Sequence, residues 1–137
     1  MKKFLSATLA LFLVISLVGC GGNNQQTTPS NQIEVSISII GLDGQTILPN
    51  TKTNVNEGEN ALAILKNVAA QNNIEVSVDE MSGFGEYVTG INGLNSGDNG
   101  QMSGWIYKVN DQSPNVGMGE YKVTGGENIA VEYTTSF

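Results

Sequence analysis

Residues 103–133 constrain the fold more than any other stretch, because they combine a strand pattern with sharp turns. Trp105, Tyr107 and Val109 occur at every second position, which is the period of a strand with one buried face. An Asn-Asp pair follows, and both residue types tolerate the positive φ of a tight reversal. The pattern therefore predicts a hairpin at this point.

The hairpin is followed by an irregular loop and a last strand. The loop, residues 114–119, contains two glycines around a methionine. A Gly-Gly pair then precedes a strand in which Ile129, Val131 and Tyr133 share one face. Loops positioned by rigid strands often carry function, so this loop is the first place to look for a binding site.

The residues before this stretch predict strands around one helix. Residues 33–39 alternate between apolar and polar side chains, and residues 46–55 predict an edge strand. Residues 61–70 have apolar side chains at helical spacing, and residues 74–78 and 87–91 alternate again. We expect an α+β fold with a small mixed or antiparallel β-sheet and one packed helix, an order that fits a β-grasp-like domain.

The N-terminal residues predict a lipoprotein leader and a tether. Two lysines precede the apolar run 4–18, which is too short for a comfortable transmembrane helix and ends just before Cys20. We therefore expect a signal peptide at 1–19, a lipidated Cys20 and flexible polar tether at 20–32, and a single domain at 33–137. The protein would be anchored by lipid at the extracytoplasmic face of a bacterial cell membrane.

The composition argues against several classes of function. The net charge is −7 and the six basic residues include two in the leader, so nucleic acid is a poor partner. The chain has no histidine and one cysteine, which removes the commonest general base and transition-metal ligand. We expect neither an enzyme nor a metal site.

Two weaker alternatives come from acidic side chains. Glu57, Glu59 and the pair at 79–80 offer carboxylates for catalysis, but acids at turns and helix starts are usually solvated or compensate the helix dipole. Residues 95–100 carry oxygen-bearing side chains near two glycines, yet they lack the spacing and terminal glutamate of an EF-hand. A mobile polar loop is the favoured interpretation of that segment.

Two motifs together resemble the transcobalamin-like C-terminal domain, formerly the DUF4430 domain, which is related to the β domain of transcobalamin and intrinsic factor. The first motif consists, in order, of Trp105, the 114–117 loop, Tyr121, Gly126 and Ile129. The second is the aromatic and glycine-rich segment 83–93. The resemblance covers about residues 33–137 and implies the same compact arrangement of strands and helix.

The resemblance also implies a binding site. In the cobalamin carriers this domain closes over one face of the corrin, a large flat ring fringed with amides. The residues nominated for ligand binding are Trp105, Pro114, Asn115, Val116, Gly117 and Met118, with Phe84 and Tyr87 from the second motif. Met118 is included because an apolar residue between two glycines at a loop tip is a plausible contact point.

Two roles are open to Trp105, which either contacts the ligand or holds the hairpin to the helix. Two functions are open to the chain as well. The first is a binding module for cobalamin or a related corrinoid, delivered to a vitamin-uptake transporter, with no cofactor required. The second is a structural or adhesive surface module that binds a protein or glycan through its loops.

Overall fold

The computed structural model describes residues 31–83 and 85–137, which form seven strands and one α-helix. In chain order the elements are β1 (Gln32–Ile40), β2 (Thr46–Asn56), α1 (Ala61–Gln71), β3 (Val76–Met81), β4 (Gly85–Ile91), β5 (Leu94–Asn95), β6 (Gly104–Val109) and β7 (Asn128–Thr134). A short 3-10 turn, Leu42–Gly44, joins β1 to β2. The fold is α+β and rich in strands. No helix among these residues has the length and apolarity needed to cross a membrane.

The larger sheet has four strands in the order β2-β1-β7-β6. β1 and β7 pair in parallel at its centre, and the other two pairings are antiparallel. Val35, Ile37 and Ile39 of β1 are buried, whereas the residues between them are more exposed, because alternate side chains of a strand point to opposite faces. The alternation read from the sequence is confirmed for β1 and β7, whereas the residues of β6 between Gly104 and Val109 are all partly buried.

The smaller sheet has three strands in the order β3-β4-β5. The single sheet expected from the sequence is therefore wrong. β4 has β3 along one side, and β5 pairs with its last residues, Gly90 and Ile91. β5 was not predicted, since two residues are too few to show a period. β4 consequently runs near β6 without joining the larger sheet.

The helix packs its apolar face into the core shared with the larger sheet. Leu62, Leu65 and Val68 are buried and belong to the same cluster as the inner residues of β1 and β7. Asn60 caps the helix, because its Oδ1 accepts a hydrogen bond of 2.7 Å from the backbone N–H of Ala63. The predicted helix is confirmed, with its cap supplied by an amide.

The predicted reversal after β6 is present, but its hairpin is minimal. Asn110 and Asp111 have φ of 50° and 63°, as a tight turn of this type requires. The backbones of Val109 and Gln112 exchange hydrogen bonds of 2.8 and 3.0 Å and form one isolated bridge. No strand follows this bridge directly, and the ladder partner of β6 is β7.

Candidate functional site

A small apolar cavity lies where β4 of the smaller sheet approaches β6 of the larger one. Its volume is about 130 Å³. We call it the aromatic cavity, and its lining consists of Tyr87, Val88, Trp105, Ile106, Tyr107, Gly117, Met118 and Val131. None of these side chains carries a formal charge at neutral pH, so the cavity offers mainly dispersion and aromatic contacts.

Trp105 is fixed on two sides and still contributes to the cavity. Its indole Nε1–H donates a hydrogen bond of 2.9 Å to the carbonyl of Leu94. Its ring meets the ring of Tyr133 edge-on, with centroids 5.2 Å apart. Because the indole is held by a hydrogen bond and an aromatic contact, it presents a preorganised surface. The contacts that hold Trp105 are therefore to Leu94 and to Tyr133 of β7, while its side chain also lines the cavity.

Tyr107 connects the strand to the loop. Its hydroxyl donates a hydrogen bond to the carbonyl of Val116, and its ring meets Tyr121 edge-on at 6.3 Å. Burial, reinforced by the nearby Tyr121 and Glu120, raises the pKa of Tyr107 to about 12. The hydroxyl therefore keeps its proton, and its role as a donor, well beyond neutral pH.

A second depression includes Tyr121 of this tyrosine pair in its lining. Its volume is about 550 Å³. We call it the polar groove, and it is lined by Val109, Asn110, Gln112, Ser113, Pro114, Asn115 and Tyr121. Amides and hydroxyls dominate the lining, and these groups both donate and accept hydrogen bonds. Since Tyr107 lines the cavity and Tyr121 lines the groove, the contact between their rings joins the two depressions.

Met118 lies in the core, so the expectation of an exposed loop tip is wrong. Only 4% of its surface is exposed, and it belongs to the main apolar cluster. The reason is that the chain turns back at this point toward the start of α1, where the N–H of Leu62 donates to the carbonyl of Met118. Its buried side chain nevertheless forms part of the cavity wall.

The remaining predicted residues are divided between the two depressions. Tyr87, which is 38% exposed, joins Trp105 at the cavity. Pro114 and Asn115 line the groove. Val116 is 44% exposed and lines neither, but its carbonyl is the acceptor for Tyr107.

Two predicted positions, Phe84 and the lipidation site Cys20, lie outside the described residues. Sequence reasoning did not nominate Tyr107, although its alternation with Trp105 places both on one face of β6. It also missed the groove residues Asn110, Gln112 and Ser113, of which only Asn110 was interpreted, as a turn residue.

Two of the described acidic groups make structural hydrogen bonds at turns. Glu127, which is 6% exposed, accepts hydrogen bonds from the N–H and hydroxyl of Thr124 and from the N–H of Gly125. Burial alone would raise the pKa of this carboxyl, but the hydrogen bonds outweigh burial and lower the pKa below its ordinary value. In the 95–100 segment, Asp98 accepts a hydrogen bond from the N–H of Asn95. Among the described residues, no three His, Cys, Asp or Glu side chains form a group that could hold a metal ion.

Comparison with known families agrees with this arrangement. A family model described as a domain of unknown function, DUF4430, matches residues 58–135, which is more than half of the chain. The chain belongs to the DUF4430 family. No curated protein matches the sequence of this family member significantly.

Two solved structures resemble this DUF4430 protein. Haptocorrin in complex with Cbi matches with a TM-score of 0.68 and 24% identity, over 79% of this chain and 26% of the haptocorrin chain. A candidate metal-binding protein from Ruminococcus gnavus ATCC 29149 matches with a TM-score of 0.54 and 11% identity, over 77% of this chain and 99% of its own. This chain therefore spans about a quarter of haptocorrin. At these identities the likeness establishes the fold alone.

Proposed function

We propose that this protein is a lipid-anchored, extracytoplasmic binding module whose ligand is cobalamin or a related corrinoid. The observation that carries the proposal is the pair of depressions, the aromatic cavity and the polar groove, which are linked by the ring contact between Tyr107 and Tyr121. An apolar, aromatic patch beside a row of neutral amides suits a flat ring fringed with amides. The fold similarity to haptocorrin in complex with Cbi supports the same ligand class.

The small volume of the aromatic cavity favours contact with only part of such a ligand. Sites that enclose a drug-sized molecule have volumes of about 300–1,000 Å³, whereas the aromatic cavity measures about 130 Å³. A corrinoid would therefore lie across the surface, with its edge or a substituent at the cavity and its amides along the groove. The other side of the ligand would stay available to a partner, such as a vitamin-uptake transporter.

The proposed role is binding without chemical transformation. The chain has no histidine, and the surface is lined by aromatic, aliphatic and neutral polar side chains. Lipidation of Cys20 would keep the module at the membrane, where a transporter could accept its ligand. In this proposal the ligand is cargo, and no cofactor or metal takes part.

We also propose that the larger sheet and α1 form a β-grasp. The order β2-β1-β7-β6, the parallel contact between the first and last strands, and the helix that follows β2 support this assignment. A β-grasp would leave β6 at the sheet edge, next to the cavity.

A titration of the full chain with cobalamin tests the proposed function. Trp105 is the only tryptophan, so its fluorescence reports directly on the cavity. We expect saturable quenching of this fluorescence together with a shift in the visible spectrum of the corrinoid. If neither signal changes, with or without a candidate transporter, the structural or adhesive function becomes the better explanation.

A further inference from the structure

We infer that the joined surface selects neutral or cationic ligands and discriminates against those that carry an added negative charge. This inference rests on the proposed function and concerns the charge of the ligand that the surface accepts. It follows from the placement of the basic side chains, the helix amides and the nearby acids.

The lysines of the described residues are engaged by other groups, including Lys108 and Lys122, which directly follow the lining residues Tyr107 and Tyr121. The three ion pairs are Lys52–Glu34 at 2.7 Å, Lys66–Glu86 at 3.3 Å and Lys108–Glu132 at 2.7 Å. The fourth lysine, Lys122, lies 3.4 Å from the carbonyl of Gly58. None of these ammonium groups belongs to the lining of the aromatic cavity or the polar groove. A ligand anion on this surface would therefore find no cation to pair with among the described lining residues.

The start of α1 supplies no substitute for a cation. Free N–H groups at a helix N-terminus commonly bind anions, and this terminus adjoins the cavity through Met118. Its first amides are already used: Ala61 N–H donates to the carbonyl of Tyr121, and Leu62 N–H to that of Met118. The N–H of Ala63 donates to the Asn60 side chain. The loop that builds the site thus occupies the donors that would otherwise attract an anion.

Acidic side chains stand beside both depressions. Glu120 precedes the groove residue Tyr121 and is close enough to contribute to the raised pKa of Tyr107. Asp111 lies between the groove residues Asn110 and Gln112, but it is close enough to Lys108 to help raise the pKa of that lysine, so Glu120 is the main source of negative charge. Both acids are exposed, so they act through water as a negative field that salt would screen. This field opposes an anionic ligand and tolerates a neutral or cationic one.

The test compares ligands that differ by one charge at almost constant size. Full-length protein is titrated with cobalamin and, separately, with each isomer in which one peripheral amide has been hydrolysed to a carboxylate. We expect at least one isomer to bind about 3- to 10-fold more weakly than cobalamin, as a like charge on the order of 6 Å away predicts for an effective dielectric between water and a protein surface. No isomer should bind more tightly than cobalamin. The difference in affinity between cobalamin and the weakened isomer should shrink at high salt.

Two charge variants locate the effect. Glu120→Gln removes the acid nearest the tyrosine pair and should reduce the difference between cobalamin and the weakened isomer. Asp43→Asn makes the same change of net charge in the β1–β2 connection, at the opposite edge of the larger sheet, and should leave the difference unchanged.

The outcomes separate this inference from the proposed function. If cobalamin binds and every carboxylate isomer binds equally well or better, the charge selection is wrong while the corrinoid function stands. If cobalamin itself does not bind, the proposed function fails and the charge selection falls with it. An equal response of the two charge variants would refute the assignment of the field to the acids beside the groove.

Discussion

Replacing Tyr107 by phenylalanine removes the single hydrogen bond that ties β6 to the 114–117 loop. The hydroxyl donates to the carbonyl of Val116, and a neutral hydrogen bond contributes about 0.5–1.5 kcal/mol net. The phenyl ring would keep its edge contact with Tyr121, which is a separate contribution of about 0.5–1.5 kcal/mol. We therefore expect Tyr107→Phe to lose about 1 kcal/mol of unfolding free energy, or roughly 4–8 °C in Tm.

The stability difference between the parent and Tyr107→Phe should also depend on pH in the alkaline range. The pKa of Tyr107 is about 12 in the folded protein and about 10 in an unfolded chain. The folded state holds this proton more tightly, so the contribution of the group to stability is complete below pH 10. It is lost as the pH rises through 12. Phenylalanine has no such proton, and the stability difference between parent and variant should narrow from pH 8 to pH 11.5.

Urea denaturation of the parent and of Tyr107→Phe across that pH range measures the difference. Tyr121→Phe is the matched control, because its hydroxyl makes no hydrogen bond to another described residue; its effect should stay within about 0.5 kcal/mol. The reasoning is refuted if Tyr107→Phe is as stable as the parent at pH 8. A difference that stays constant up to pH 11.5 would equally refute the assignment of the raised pKa.

Three further substitutions address the core, a buried acid and the anchor. Met118→Ala should lower the free energy of unfolding by about 2–5 kcal/mol, because it leaves a cavity at a buried position. Denaturant unfolding measures this loss, and an unchanged curve would contradict the place of Met118 in the core. Glu127 contributes stability above the ordinary glutamate pKa of about 4.3, and this contribution is lost as the pH falls through its lower folded pKa. Glu127→Gln should therefore be less stable than the parent at pH 6, and its free energy of unfolding should fall less steeply between pH 5 and pH 3. If the stability of the two proteins falls in parallel over this range, the lowered pKa of Glu127 is wrong. Cys20→Ser should abolish palmitate labelling and detergent-phase partitioning, and retention of both would rule out the predicted anchor.

Local patterns in the sequence predicted most of the strands and the helix. Ile37, Leu65 and Ile129 were assigned to buried faces from periodicity alone, and each is fully buried. Alternation and helical spacing are properties of neighbouring residues, so they can be read without knowledge of the tertiary structure. The division into two sheets depends on which strands pair, and β5 with its two residues gives no local signal.

The candidate site was predictable only where it coincides with a motif. Trp105 and Asn115 were nominated by resemblance and line the two depressions. Met118 was placed at an exposed tip because glycines flank it, but the hydrogen bond from Leu62, more than 50 positions away in sequence, holds this part of the loop against the helix. Tyr107 was missed for the same reason, since its importance arises from the loop that folds over it.

The most direct test of the corrinoid function is a cobalamin titration of the parent and of variants at the joined surface. Asn115→Ala should weaken binding about 2- to 13-fold, as expected for one neutral hydrogen bond, and Tyr87→Ala should weaken it through lost aromatic contact. Met102→Ala is the control, because Met102 is 56% exposed and lines neither depression. We predict weaker binding for the first two variants at an unchanged Tm, and parental binding for the control. Failure of the parent to bind cobalamin, or equal binding by all four proteins, would contradict the account.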